Sequence, residues 1–156
     1  MKISDILTED VIRVNLECKD KDDALNKMVE LASKSGLMRD KEKVRECVFE
    51  RESLVSTGVG KGFAIPHGKT DEIKSIVAAF AVLKEPIDFD SIDLEPVTFI
   101  FLIIGKESLL NAHIKLLSRI SRLMNKDDFR EKLSEAKSSG EVLRYFREEE
   151  NSVFDV

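Results

Sequence analysis

The chain has 156 residues, 42% hydrophobic and 35% charged, with a formal net charge of −5. That length and balance describe one globular domain able to fill a core without metal or disulfide staples. The acidic balance gives no reason to expect a nucleic-acid partner, because a phosphate-binding surface needs a basic stripe.

The longest apolar stretches, residues 75–83 and 97–104, are too short to cross a bilayer as helices. No basic segment followed by an apolar one opens the chain as a secretion signal would. Cys18 and Cys47 are few and unpatterned, which fits a reducing compartment. The expected location is cytoplasmic.

In chain order, residues 4–7 suit a helical turn and the β-branched run 11–14 a short strand. Ala24, Leu25, Met28, Val29, Leu31 and Ala32 recur at helical spacing, so the pattern predicts a helix over 20–35. Asp20 or Asp22 is its candidate cap, and Gly36 stands where it would end. A second helix is predicted from Asp40 to about Glu52, with Val44, Cys47, Val48 and Arg51 on one face. Its arginine has two readings, a guanidinium reaching solvent past the core or a planar cation waiting for an anion.

Residues 56–68, Ser-Thr-Gly-Val-Gly-Lys-Gly-Phe-Ala-Ile-Pro-His-Gly, hold three glycines at alternate positions, a proline and one of two histidines. Glycines let a ligand approach the main chain, and hydroxyls with free N–H groups suit an anion. Pro66 restricts the backbone that carries His67. The expectation is a polar, anion-friendly loop that delivers one imidazole to a fixed place.

Residues 75–83 and 97–104 read as central strands covered on both faces. The prolines and aspartates between them mark tight turns, with a small hairpin predicted around 87–94. Three helices should follow, near 109–124, 127–136 and 140–149, the last with Ser138 and Glu141 at capping-box spacing. Glu148, Glu149, Glu150 and the residues beyond read as an exposed acidic tail. Helices before, between and after buried strands imply a sheet with helical cover on both sides.

His113 falls on the apolar face of the long helix, at helical spacing from Leu109, Leu110, Leu116, Leu117 and Ile120. It is either a hydrogen-bonded core histidine or, beside His67, part of an anion site. A neutral imidazole is a nucleophile at cytoplasmic pH without a general base. His67 is therefore read as a phosphoryl acceptor. Arg51, His113, Ser56 and Thr57 are the candidate partners of its phosphoryl group.

An N–P bond made and broken between proteins needs no metal and no cofactor. The Walker spacing fails at Val55 and Gly62, and the dinucleotide-binding glycine spacing and the Gly-x-Ser-x-Gly elbow are absent. Two distant histidines and two scattered cysteines make a poor zinc set. Lys61 and Lys69 read as solvated, with an acidic partner or the phosphate as the alternative.

Arg51-Glu52, the run from Ser56 to Lys69, and Asn111-Ala112-His113-Ile114-Lys115-Leu116-Leu117 resemble the enzyme IIA domain of the bacterial phosphoenolpyruvate-dependent sugar phosphotransferase system. The branch is the fructose/mannitol/nitrogen-regulatory (type 2) family, and the resemblance spans essentially the whole chain. It implies a mixed β-sheet flanked by helices on both sides, with a IIA domain over 1–150 and a tail over 151–156. It also implies that His67 is phosphorylated, with His113 and Arg51 beside it, while the roles of Ser56 and Thr57 carry over less directly. The implied partners are the histidine-phosphocarrier protein and an enzyme IIB, with a membrane reached only indirectly through a permease. The family's output is either carbohydrate uptake or phosphorylation-switched regulation of other proteins.

Overall fold

The computed structural model describes residues 1–154; the last two residues of the predicted tail lie outside the described residues. In chain order the elements are α1 (Ile3–Ile6), β1 (Ile12–Leu16), α2 (Lys21–Ser33), α3 (Lys41–Leu54), β2 (Gly58–Gly60), β3 (Phe63–Ala64), β4 (His67–Lys69), β5 (Val77–Ile87), β6 (Val97–Gly105), α4 (Leu110–Met124), α5 (Asp127–Ser134) and α6 (Ser139–Phe154). The strands form one mixed sheet in the order β1-β5-β6-β3-β2, with β4 also paired to β6. The predicted mixed sheet with helical cover is the observed fold.

Local chemistry sets the helix ends. Asp20 caps α2 by accepting from the Asp23 amide at 2.8 Å, and Asp40 caps α3 by accepting from Lys43 at 3.2 Å. Ser138 accepts from the Glu141 amide at 3.1 Å, while the Glu141 carboxylate returns to Lys137 rather than to Ser138. Beyond their caps the helices turn apolar stripes inward. Consecutive residues of β5 from Val77 to Leu83 are all buried, as a strand covered on both faces requires. Phe80 of β5 and Phe101 of β6 meet Phe146 of α6 at ring separations of 5.0 and 5.7 Å, and Phe129 joins at 5.1 Å. These tilted and edge-on aromatic pairs tie the sheet to the C-terminal helices.

Two expectations change. No separate hairpin forms around 87–94. Instead β5 itself runs through Pro86 and pairs antiparallel with β6. The connection is closed by side chains, Asp88 accepting from Asp90 and Asp93 from Glu95, which are aspartate turns rather than strand pairing. The acidic run is not an exposed tail either. Helix α6 continues to Phe154, and Glu150 is 1% exposed. The Glu150 carboxylate is buried because it accepts from the Ile3 and Ser4 amides at the start of α1.

The sheet also aims the site. β4 runs parallel to the C-terminal half of β6, with His67 opposite Ile103 and Lys69 opposite Gly105. β6 ends at Gly105 and the chain enters α4 soon afterwards. His67, the first residue of β4, thus lies beside the last residues of β6, near the strand end from which the chain passes into α4 and to His113.

Candidate functional site

His67 opens β4, half-buried, directly after Pro66, whose carbonyl accepts from the Ile103 amide at 3.1 Å. Its Nδ1 lies 2.8 Å from the Ile65 carbonyl oxygen. A carbonyl has no proton to give, so Nδ1 carries the hydrogen and the lone pair of a neutral ring is left on Nε2. The fold thus chooses the tautomer, and with it the ring nitrogen whose lone pair stays free.

His113 lies on α4, 5% exposed, with its ring centroid 6.3 Å from that of His67 and the planes inclined at 61°. Burial, then the neighbouring His67 and Lys69, hold its pKa below the ordinary 6.5. The ring is neutral at physiological pH. It sits against the end of β6, where a Cβ on Gly105 would fall 1.9 Å from His113 Nδ1. Only glycine leaves room for the ring there. On the other side, a Cβ on Gly68 would fall 2.7 Å from Cys47 Sγ, so Gly68 lets α3 close onto β4.

That close approach brings in Arg51. Its Nη1 donates to the Val55 carbonyl at 3.1 Å, and among the described residues no carboxylate pairs with it. His67, His113 and Arg51 line one open cavity of about 550 Å³, together with Cys47, Lys69 and Leu117. Lys69 carries its ammonium 2.7 Å from Glu107. The structure therefore gathers the two histidines and the arginine, with the exposed Lys69 at the cavity's edge.

Ser56 and Thr57 are not brought to this cavity. Ser56 donates to the Phe89 carbonyl at 2.8 Å, and Thr57 donates to Glu52 at 2.6 Å while 4% exposed. Both hydroxyl hydrogens are already engaged inside the protein. The glycine run is no anion cradle; it forms the β2–β3 hairpin at the sheet edge. Two of its amides are occupied, Gly58 donating to Ser56 and Lys61 to Asp93. Among the described residues no three His, Cys, Asp or Glu side chains gather as a metal set. What the cavity offers is a lone-pair nitrogen, a neutral imidazole, the Arg51 guanidinium and the Glu107-paired Lys69, with the Glu50 carboxylate also on its wall, a combination able to receive a transient oxyanion without holding it tightly.

The architecture recurs in solved structures. The crystal structure of IIA mannitol from Escherichia coli superposes at TM-score 0.78 with 21% identity, covering 90% of this chain and 98% of that one, a likeness of fold. Nitrogen regulatory protein IIA-Ntr from Neisseria meningitidis superposes at TM-score 0.85 with 33% identity, covering 92% and 98%. The family model for the phosphoenolpyruvate-dependent sugar phosphotransferase system, EIIA 2, matches residues 5–149. The chain belongs to that family, and at that level it is a phosphotransferase-system phosphocarrier domain.

Among relatives, the fructose-specific EIIABC component of Bacillus subtilis is 36% identical over 92% of this chain, which spans 22% of that protein's length. A nitrogen regulatory protein of Bradyrhizobium diazoefficiens is 38% identical, with 85% of this chain and 86% of that protein covered. No helix among the described residues is long and apolar enough to cross a membrane.

Proposed function

We propose that His67 accepts a phosphoryl group from the phosphohistidine of the histidine-phosphocarrier protein and passes it to an enzyme IIB in fructose/mannitol-type carbohydrate uptake in the cytoplasm. The observation that carries this reading is the Nδ1 hydrogen bond to the Ile65 carbonyl beside Arg51 and His113. The Nε2 lone pair of His67 attacks phosphorus as the donor's N–P bond breaks, and that bond's electron pair returns to the donor ring. Nδ1 keeps its proton throughout and donates it to the Ile65 carbonyl. In the forward step the acceptor's nucleophile displaces Nε2, and the His67 ring leaves neutral.

The phosphoryl group carries roughly 1.5 to 2 negative charges, by analogy with phosphorylated hydroxyls. Arg51 has spent one of its five N–H donors on Val55, so the rest are available to phosphoryl oxygens. His113, kept neutral by burial, adds polarity without a further charge. Such a grip is strong enough to receive a dianion and weak enough to release it.

The chain incubated with phosphoenolpyruvate, enzyme I and the phosphocarrier protein is expected to take an acid-labile label that His67→Ala abolishes. Label persisting in that variant refutes the assignment.

A second reading, a regulator whose phosphorylation state switches its protein partners, is supported by the similarity to nitrogen regulatory proteins along nearly their whole length. Sugar uptake in a deletion strain separates the two. Lost uptake favours the carrier, and intact uptake with a phosphorylation-sensitive partner in pull-downs favours the regulator.

A further inference from the structure

Two carbonyls set the posture of the site, Ile65 for the His67 tautomer and Val55 for the Arg51 guanidinium. Both lie on the stretch of chain that leaves α3 and enters the sheet. One side chain ties that stretch together. Glu52 is 6% exposed and makes a closed set of contacts at the end of α3. Its Oε1 accepts from Thr57 Oγ1 at 2.6 Å and its Oε2 from the Thr57 amide at 2.9 Å. Lys21 Nζ, at the start of α2, lies 2.9 Å from Oε2 and also stands over the Phe89 ring. The Thr57 carbonyl then accepts from the Ile65 amide at 3.1 Å, one peptide away from the carbonyl that holds His67.

We propose that Glu52 is a positioning residue for phosphoryl transfer, acting through Thr57 on the carbonyls that orient both His67 and Arg51. This rests on the phosphoryl-accepting role of His67. Glu52 itself does not line the His67 cavity. By closing the turn from Glu52 to Thr57, it fixes where Val55 presents its carbonyl to Arg51. By holding Thr57, it fixes the strand register that carries Ile65.

The position also argues for a geometric duty. Val44, Val48 and Glu52 continue one buried stripe of α3, where an aliphatic residue would pack without desolvating a charge. Buried ion pairs contribute little net stability compared with such packing, and fixing one arrangement over others is their best attested use. A carboxylate there places a backbone amide, a hydroxyl and an ammonium at once. An aliphatic side chain could place none of them.

The test uses Glu52→Gln, which keeps the size but loses the charge, and Thr57→Val, which keeps the Lys21–Glu52 pair but removes the hydroxyl donor. Transfer from the phosphorylated phosphocarrier protein is measured against donor concentration. The His67 tautomer is read separately from imidazole ¹⁵N shifts of the unphosphorylated protein. Displacement of reacting groups by about 1 Å lowers rates by roughly 10²-fold, so kcat is expected to fall by ~10- to ~100-fold with KM little changed. The ¹⁵N shifts should move from pure Nδ1–H toward a tautomer mixture, and Thr57→Ser should restore both readouts.

Folded variants with wild-type kcat and tautomer, or with a loss confined to the unfolding midpoint, overturn the proposal. Should Glu52→Gln fail to fold, Thr57→Val decides by the same two readouts. A wild-type chain that takes no label removes the phosphoryl reading. The tautomer, measured without any donor, still decides for or against Glu52.

Discussion

Burial of the His113 imidazole has a consequence for stability at mildly acidic pH. Its folded pKa lies below the ordinary 6.5, chiefly because a charged ring would lose its water and secondarily because His67 and Lys69 stand near. Above pH 6.5 the ring is neutral folded and unfolded, and it contributes no slope. Below it the unfolded ring binds a proton that the folded ring refuses, so stability falls with pH until the folded pKa is passed. His113→Gln should flatten the unfolding midpoint against pH just below 6.5, a window above the range where carboxylates titrate. An unchanged slope would show that His113 does not resist protonation. At Arg51, loss of charge-assisted hydrogen bonds of about 1.5–3 kcal/mol each should slow labelling of His67 roughly 10- to 100-fold in Arg51→Ala. Equal labelling rates would return the guanidinium to the snorkelling role that its position on α3 also allows. The residues that sequence left dark were the buried acids. Glu52 extends the spacing of Val44 and Val48, and Glu150 that of Val142, Leu143 and Phe146, so both sat on apolar stripes. A carboxylate's charge argues for solvent whatever its spacing, and the amides that bury these two, Thr57 past the end of α3 and Ile3 at the far end of the chain, become visible only in the fold.

Helices and long strands were legible because their signals are local. Asp20 stands just before an apolar periodicity and is the cap expected of it, while Asp40, read as the first residue of its helix, caps it instead. The runs that became β5 and β6 are apolar on both faces, which sequence can report without knowing what covers them. The glycine run suits ligand approach by residue type, yet its Gly58 amide turns back on the neighbouring Ser56 and its Lys61 amide meets Asp93, a partner that only the folded connection between β5 and β6 supplies. Gly105 shows the same limit, since nothing near it in sequence announces an imidazole against its Cα. Gly105→Ala places a methyl 1.9 Å from His113 Nδ1, so α4 or the ring must shift. Overpacking of this kind costs about 1–3 kcal/mol, to be read as a lower denaturation midpoint. The double variant Gly105→Ala/His113→Ala removes the clash and should lose less than the two single losses added together. Strict additivity would mean that the two positions do not press on each other.

At the scale of the molecule, parallel pairing of β4 with β6 delivers His67 to the strand end from which α4 departs, and strand order cannot be read from one sequence. The two ends of the described chain are joined by the same kind of long-range contact. Glu150 Oε2 accepts from the Ile3 amide at 2.5 Å and Oε1 from Ser4 at 3.2 Å, fastening the four-residue α1 to α6. Arg119 Nη1, buried without a hydrogen-bond partner, stands 3.7 Å away and offsets the carboxylate's charge. A helix as short as α1 has almost no stability of its own. Its hold on the domain comes from this carboxylate and from Ile3 and Leu7, both at most 1% exposed. Glu150→Ala leaves amide donors of α1 without acceptors, at about 1–3 kcal/mol, and Glu150→Gln should recover part of that by keeping one carbonyl oxygen. Hydrogen exchange should quicken across Ile3–Ile6 in Glu150→Ala, while labelling of His67 stays at the wild-type rate because Glu150 does not line that cavity. Exchange as slow as in the wild type would mean that apolar burial alone secures α1. A fall in labelling would mean that α6 and the cavity are mechanically linked.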